Sequence, residues 1–290
     1  IDGKIYNYHV VMTNEKVISE KLNVKSHGKK PRKLFSRIWD EHKKGYKLDL
    51  QNFKLSAGFS KLLRPNVSII STGIQVQHSE SIKIGGFFET IWSNINEVGK
   101  IPVEQQKDTL EYYLRNPRMR AKAEEILTKF DFGLSKIKIQ QYEDQEKRPA
   151  YRAYGVHKFI DSNEEMPLPF VYESSGTRNL LSLLKLILTV LNSGGVAVID
   201  EMEHDLHPLM INEIVNLFTS QVYNPLNAQL LFSTHTAQVI NKLDKQQITI
   251  IEKNNSMSSA FSLQDIKGVK ADDNFYAKYI AGAYGGIPRL

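Results

Sequence analysis

Val171-Tyr172-Glu173-Ser174-Ser175-Gly176-Thr177 opens a stretch that runs to Ala237 and around which the chain is organised. From Thr177 to Leu191, Leu180, Leu181, Leu184, Ile187, Leu188 and Leu191 recur at helical spacing, enough apolar area for a helix packed between layers. Ser193-Gly194-Gly195 stops that helix. Gly195-Val196-Ala197-Val198-Ile199 follows as a buried strand and ends in Asp200-Glu201. Pro208 stands near the start of the next helix, where its missing donor costs little, and Leu209, Ile214, Leu217 and Phe218 read as the buried stripe. A second buried strand, Leu230-Leu231-Phe232-Ser233-Thr234, ends in His235, and Gln247 to Glu252 reads as a further strand. Helices alternating with apolar strands predict a parallel α/β layer, in which ligands bind beyond the carboxyl ends of the strands.

Three polar groups fall at that edge. Asp200-Glu201 after four apolar residues is the Walker B pattern with an adjacent glutamate: Asp200 is placed to hold a Mg²⁺-bound water, and Glu201 to orient an attacking water in phosphoryl transfer. His235, at the end of the next strand, is placed to touch a γ-phosphate. Ser174-Ser175-Gly176 before a helix offers hydroxyls and free N–H groups at a positive helix end, an anion site. Each has a plain structural reading when taken singly: a strand that ends in acids, a histidine after a strand, an N-cap and turn. In this order and spacing together they specify nucleotide chemistry.

The rest of the chain supplies a frame. Tyr6, Tyr8, Val10 and Met12 alternate before a turn at Thr13-Asn14-Glu15-Lys16, and Val17, Ser19 and Leu22 lead back, which predicts a hairpin over Ile5 to Val24. Leu34 to Asp40 and Tyr46 to Leu50 predict a second hairpin, after the basic loop His27 to Lys33. Val67 to Thr72 fits either a strand or a first helical turn. Phe87, Phe88, Ile91 and Trp92 have helical spacing within Gly85 to Asn96, and helices are expected over Val103 to Leu114 and Met119 to Phe130. Arg115, Arg118, Arg120 and Lys122 cluster between those two as a solvated face or a contact for nucleic acid or an acidic partner. Ile137 to Tyr142 and Ala150 to Lys158 read as strands flanking a charged turn.

With 290 residues, 41% of them apolar, the chain can bury a full core. No apolar run approaches the ~18 residues of a membrane span. The absence of cysteine excludes disulfides and thiolate metal sites and is compatible with a reducing cytoplasm, the expected location; no secretory signal is visible. A formal charge of +6 permits nucleic-acid binding without requiring it.

At the residues quoted, the sequence resembles ABC-class AAA ATPases from about Phe170 to Leu290. The resemblance implies an α/β fold: an ABC-type P-loop NTPase head with an antiparallel β-lobe (1–66), a helical insertion (67–136) and an α/β lobe (137–290) with signature, Walker B and switch histidine. It implies ATP and Mg²⁺ as cofactors, a homodimer or higher oligomer closed by nucleotide, Glu201 and His235 as catalytic residues, and Ser174, Ser175, Gly176 and Asp200 at the nucleotide. Ser174 and Gly176 would contact the γ-phosphate held by the other subunit, and Glu203 to Pro208 would lie across the dimer interface. Asp200-Glu201-Met202-Glu203-His204-Asp205-Leu206-His207-Pro208, Ser233-Thr234-His235-Thr236 and the closing Tyr284-Gly285-Gly286-Ile287-Pro288 are similar to the OLD-family and abortive-infection ATPases of antiphage defence, as Arg64-Pro65-Asn66 is more weakly. In that group an effector nuclease is the usual partner. The roughly fifty-five residues after His235 lack the separated acidic motifs of a fused Toprim nuclease.

One departure stands out: no Gly-x-x-x-x-Gly-Lys-Ser/Thr occurs in the sequence. In the family that cradle precedes the segment that opens here, at Ile1, so the expectation is that an N-terminal P-loop segment is missing from this sequence, and with it a nameable Q-loop glutamine. Two other readings compete. A DNA-repair ATPase of RecF/SMC type would share the head and bind DNA directly, although the short helical arm has no long heptads for an SMC rod. A degenerate head would act as a scaffold without hydrolysis, which Asp200, Glu201 and His235 argue against.

Overall fold

In the computed structural model, which describes residues 1–56, 58–100, 106–130, 133–158 and 164–287, the chain divides into two compact units, Ile1–Ile91 and Trp92–Leu290. The expected helix start at Val103 and the final Pro288 lie outside the described residues.

The first unit is built on a four-stranded antiparallel meander of β1 (Lys4–Met12), β2 (Val17–Ser26), β3 (Arg32–Asp40) and β4 (Gly45–Asp49), the two expected hairpins joined in sequence order. Leu22, Val24, Leu34 and Phe35 supply its buried face and pack with Phe53, Phe59, Ile69, Ile70 and Ile84. Val67 to Thr72 resolves as a helix, α1 (Ile69–Gln75), because the Ser68 hydroxyl accepts the Ser71 N–H as an N-cap. The expected helix from Gly85 to Asn96 is corrected: α2 (Ser79–Glu89) begins earlier and ends before β5 (Ile91–Ser93), where Ile91 and Trp92 lie in a strand. A four-residue apolar spacing over so short a window fits either element, and strand pairing decides it.

Within this unit the Glu20 and Arg37 side chains are fully buried and paired at 2.9 Å. Glu20 also accepts from Tyr8 Oη and the Ile69 N–H, both at 2.9 Å, and Arg37 donates to the carbonyls of Arg64 and Val67. Arg64-Pro65-Asn66 is thus the loop that the guanidinium holds. Burial pushes the Glu20 carboxyl above its usual range, against the opposing pull of the Ile69 N–H and Arg37.

The second unit starts within β5, at Trp92, and continues with β6 (Ile95–Asn96) and β7 (Gly99–Lys100), a small hairpin, then α3 (Gln106–Arg115) and α4 (Pro117–Phe130). β8 (Leu134–Glu143), β9 (Pro149–Lys158) and β10 (Glu165–Pro169) form an antiparallel sheet in the order β10-β9-β8. The central helix α5 (Ser175–Ser193) buries all six predicted apolar residues. It stops at Gly194, whose φ of +69° and approach to Leu226 leave no room for a side chain. β11 (Val196–Ile199), α6 (Pro208–Thr219) and β12 (Gln229–Phe232) complete the α/β layer: β11 and β12 pair in parallel, and the sheet order is β12-β11-β5.

Three expectations are corrected here. β12 is an edge strand among the described residues, with Leu231 64% exposed, so it is not a buried strand. The stripe of α6 is Ile211, Ile214, Val215 and Leu217, while Leu209 is exposed in the first turn and Phe218 only half-buried. The strand near Gln247 is β13 (Thr249–Asn254), which pairs antiparallel with β14 (Met257–Ser262) in a separate hairpin that caps its own small core with α7 (Phe275–Ile280). An apolar run has the same sequence whether its neighbour strand is present or not, so periodicity carries no information on edges.

Candidate functional site at the carboxyl ends of two parallel strands

β11 delivers Asp200 and Glu201, and β12 delivers Ser233, Thr234 and His235, because parallel register places Ile199 opposite Phe232. Beyond that pair the ladder continues for one step, with the Ser233 N–H donating to the Ile199 carbonyl at 2.9 Å and the Met202 N–H to the Ser233 carbonyl at 3.1 Å. Side chains then take over from backbone. Ser233 Oγ donates to Asp200 Oδ1 and accepts the Glu201 N–H at 2.9 Å. The carboxamide of Asn94, one residue past β5, accepts the Asp200 N–H at 2.8 Å and donates to the Asp200 carbonyl at 2.9 Å. Lys100 Nζ lies 3.4 Å from Glu201 Oε2 and 3.3 Å from the Glu201 carbonyl.

Glu201 itself has φ of +46°, the left-handed region, which costs a non-glycine residue about 1–2 kcal/mol. Neutral hydrogen bonds contribute about 1 kcal/mol each, so the tethers on Asp200 and Glu201 are together sufficient to hold that turn. The Glu201 side chain is exposed.

His235 is held through its backbone: its N–H donates to Glu203 Oε1 at 2.7 Å. Burial opposes ionisation of Glu203, but hydrogen bonds from the His235 N–H and the Thr234 hydroxyl prevail and keep its carboxyl below the usual range. Glu203 therefore ties the segment after β11 to the segment after β12.

At the start of α5, Ser174 is the N-cap, its Oγ accepting the Thr177 N–H at 3.0 Å and sharing a hydrogen with Thr177 Oγ1. Ser174 and Ser175 are exposed. Gly176 abuts the next loop so closely that a Cβ there would lie 2.6 Å from the Asp205 carbonyl oxygen. Asn179 Nδ2 reinforces the contact with a 2.8 Å bond to Asp205 Oδ2. The glycine is required inside one chain, whatever it touches outside. Beneath it, Glu173 is buried and paired with His157 Nε2 at 2.8 Å.

A cavity of about 330 Å³ opens beside Glu201, walled by Trp92, Asn94, Lys100, Lys185, Leu186 and Met202 among others. Burial holds the Lys185 ammonium below the usual lysine range, with Asp108 and Glu111 opposing.

The structure thus brings Asp200, Glu201 and the backbone of His235 into one bonded cluster, and places Ser174, Ser175 and Gly176 on a helix start coupled to the loop at Asp205. Sequence reasoning missed Asn94, Lys100, Ser233 as a bridge, and Glu203. Ser233 and Glu203 lie inside quoted motifs, so position within those motifs was an available signal; Asn94 and Lys100 are about a hundred residues away and carried none.

A comparison with curated proteins finds no match. Among solved structures, one from work on "Structural biochemistry of ATP-driven dimerization and DNA stimulated activation of SMC ATPases" is 11% identical, with 60% of this chain and 96% of that chain covered and a TM-score of 0.38. That likeness is too distant to carry an argument. The model of one family, described as "AAA domain, putative AbiEii toxin, Type IV TA system", matches residues 1–241. With most of its length matched, and with an acidic pair closing one parallel strand and Ser-Thr-His closing its neighbour, the chain belongs to this family of AAA domains.

Proposed function

We propose that the chain hydrolyses ATP as an ABC-type head, with Glu201 orienting the attacking water and His235 contacting the γ-phosphate. The observation that carries this reading is the Ser233 bridge, which locks Asp200 and Glu201 together at the open carboxyl edge of a parallel pair. Ser174, Ser175 and Gly176 meet the nucleotide of a second copy, so that ATP closes a homodimer. The exposed α5 start, ordered by its N-cap and by Asp205, supports that role.

Asp200 is the residue that would hold Mg²⁺, through water. The fit is good for a metal that arrives with a nucleotide: Mg²⁺ needs only one or two carboxylates plus phosphates, and the described residues contain no cluster of three or more metal-ligating side chains that would bind one alone. When bound, Mg²⁺ would neutralise charge on the transferring phosphate. The phosphate cradle is not among the residues of this sequence.

In the wider role, the closed dimer controls an associated effector nuclease in antiphage defence. The family's description names a putative toxin of a type IV TA system; the nuclease partner rests on the resemblance of Asp200 to Pro208 and Ser233 to Thr236 to abortive-infection ATPases. No helix among the described residues is long and apolar enough to cross a membrane.

The test is Glu201→Gln in the full-length protein. Turnover falls by about 10²–10³-fold, while MgATP still binds and the dimer accumulates by size-exclusion chromatography. Unchanged turnover would sink the assignment. Salt-dependent duplex binding with no nuclease partner would move the reading to a DNA-repair ATPase.

A further inference from the structure

Between the Asp200 N–H and the Glu201 carbonyl the chain has four backbone polar groups; each is bound by a side chain and none by a neighbouring strand, and the Glu201 carbonyl also accepts the His204 N–H of its own turn at 3.0 Å. Asn94 Oδ1 accepts from the Asp200 N–H at 2.8 Å, and Asn94 Nδ2 donates to the Asp200 carbonyl at 2.9 Å. Ser233 Oγ accepts from the Glu201 N–H at 2.9 Å, and Lys100 Nζ donates to the Glu201 carbonyl at 3.3 Å. Asn94 differs from the other two in binding both the backbone N–H and the backbone carbonyl of one residue. A carboxamide presents one acceptor and one donor side by side, as a peptide unit does, and only one orientation of this amide satisfies both groups of Asp200.

Asn94 is also placed where a strand would be. Its own N–H donates to the Val198 carbonyl at 3.3 Å, the last backbone rung between β5 and β11. The side chain then supplies the next rung in place of backbone, since the chain turns away into the β6–β7 hairpin. At that point Glu201 takes its left-handed φ. A non-glycine residue keeps such a conformation only where its surroundings over-determine it.

We propose that Asn94 is a positioning residue for the Asp200–Glu201 pair: its carboxamide extends the sheet by one rung and so holds the turn that aims the Glu201 carboxylate. The inference rests on the ATPase reading above. It gives the hairpin between β5 and β7 a function, since the same short segment carries Lys100, whose ammonium contacts the Glu201 side chain.

The experiment compares Asn94→Leu and Asn94→Asp with the wild type in the full-length protein, by steady-state hydrolysis of MgATP. Asn94→Leu keeps the volume and removes both bonds, and kcat falls by about 10–100-fold with KM within about twofold of wild type. Asn94→Asp keeps the acceptor for the Asp200 N–H and loses the donor, and kcat lies between the two. Isothermal titration in a Glu201→Gln background separates positioning from folding: adding Asn94→Leu leaves MgATP affinity unchanged. A wild-type kcat in Asn94→Leu, or loss of MgATP binding when it is combined with Glu201→Gln, overturns the proposal. Wild-type turnover in Glu201→Gln alone overturns the ATPase reading instead, whatever Asn94 does.

Discussion

The two units each contain a carboxylate paired with a cation, and they use the pair in opposite ways. Glu20 and Arg37 are fully buried at 2.9 Å, and every contact they make is to the body of the β-meander and the loop and helix packed on it. Glu201 and Lys100 meet at 3.4 Å with their side chains 50% and 27% exposed. The first pair cannot exchange partners without leaving a charge in a dry interior, whereas the second is screened and can separate at small cost. A carboxylate that must meet water and a phosphate has to be of the second kind. The same two residue chemistries thus form a structural clamp in one unit and part of the proposed site in the other, and exposure separates them.

The comparison breaks most readily at the buried pair. Glu20→Ala leaves Arg37 uncompensated and is expected to lower the stability of the chain by about 3–5 kcal/mol, read from denaturant midpoints. Replacing both members with apolar residues of similar volume is expected to recover most of that loss; a double variant as unstable as Glu20→Ala would show that the hydrogen bonds to Arg64 and Val67 matter more than the charge.

A smaller effect concerns Glu203, the link between the two strand ends. Its folded-state pKa lies below the unfolded one, because the His235 N–H and Thr234 hydroxyl outweigh burial. The resulting stabilisation is therefore fully present above about pH 4.3 and is lost as pH falls through the folded value. Melting curves of wild type and Glu203→Gln should differ at pH 7 and converge once the pH has fallen through the folded value. A difference that persists in acid would assign the effect to packing.

The smallest change in stability belongs to Lys100→Met, within about 0.5 kcal/mol of wild type for so exposed a pair. Its informative readout is turnover, measured beside Asn94→Leu. A stability loss near that of Glu20→Ala would erase the distinction drawn between the two pairs.

Much of the second unit was legible in its sequence. The six-residue stripe from Leu180 to Leu191 has one period, the Gly194 stop has one conformation open to it, and Pro208 tolerates one helix position, so local chemistry sufficed for α5, β11 and α6. The order Asp200-Glu201 then Ser233-Thr234-His235 was readable for the same reason, since a strand end fixes where its last residues point.

Other features needed the folded chain. Ile91 and Trp92 looked helical until β5 paired with β11, and Leu231 looked buried until β12 proved to be an edge among the described residues. Asn94 reaches Asp200 across 106 positions and Lys100 reaches Glu201 across 101. The physical reason is range: helix stops, caps and strand periodicity arise within a few residues, whereas a hydrogen bond between a side chain and distant backbone exists only once the sheet has closed. By itself the sequence determined the elements of the α/β layer and the acids at its edge. Tertiary structure decided which strands pair, which residues hold the turn at Glu201, and why Gly176 has no room for a side chain.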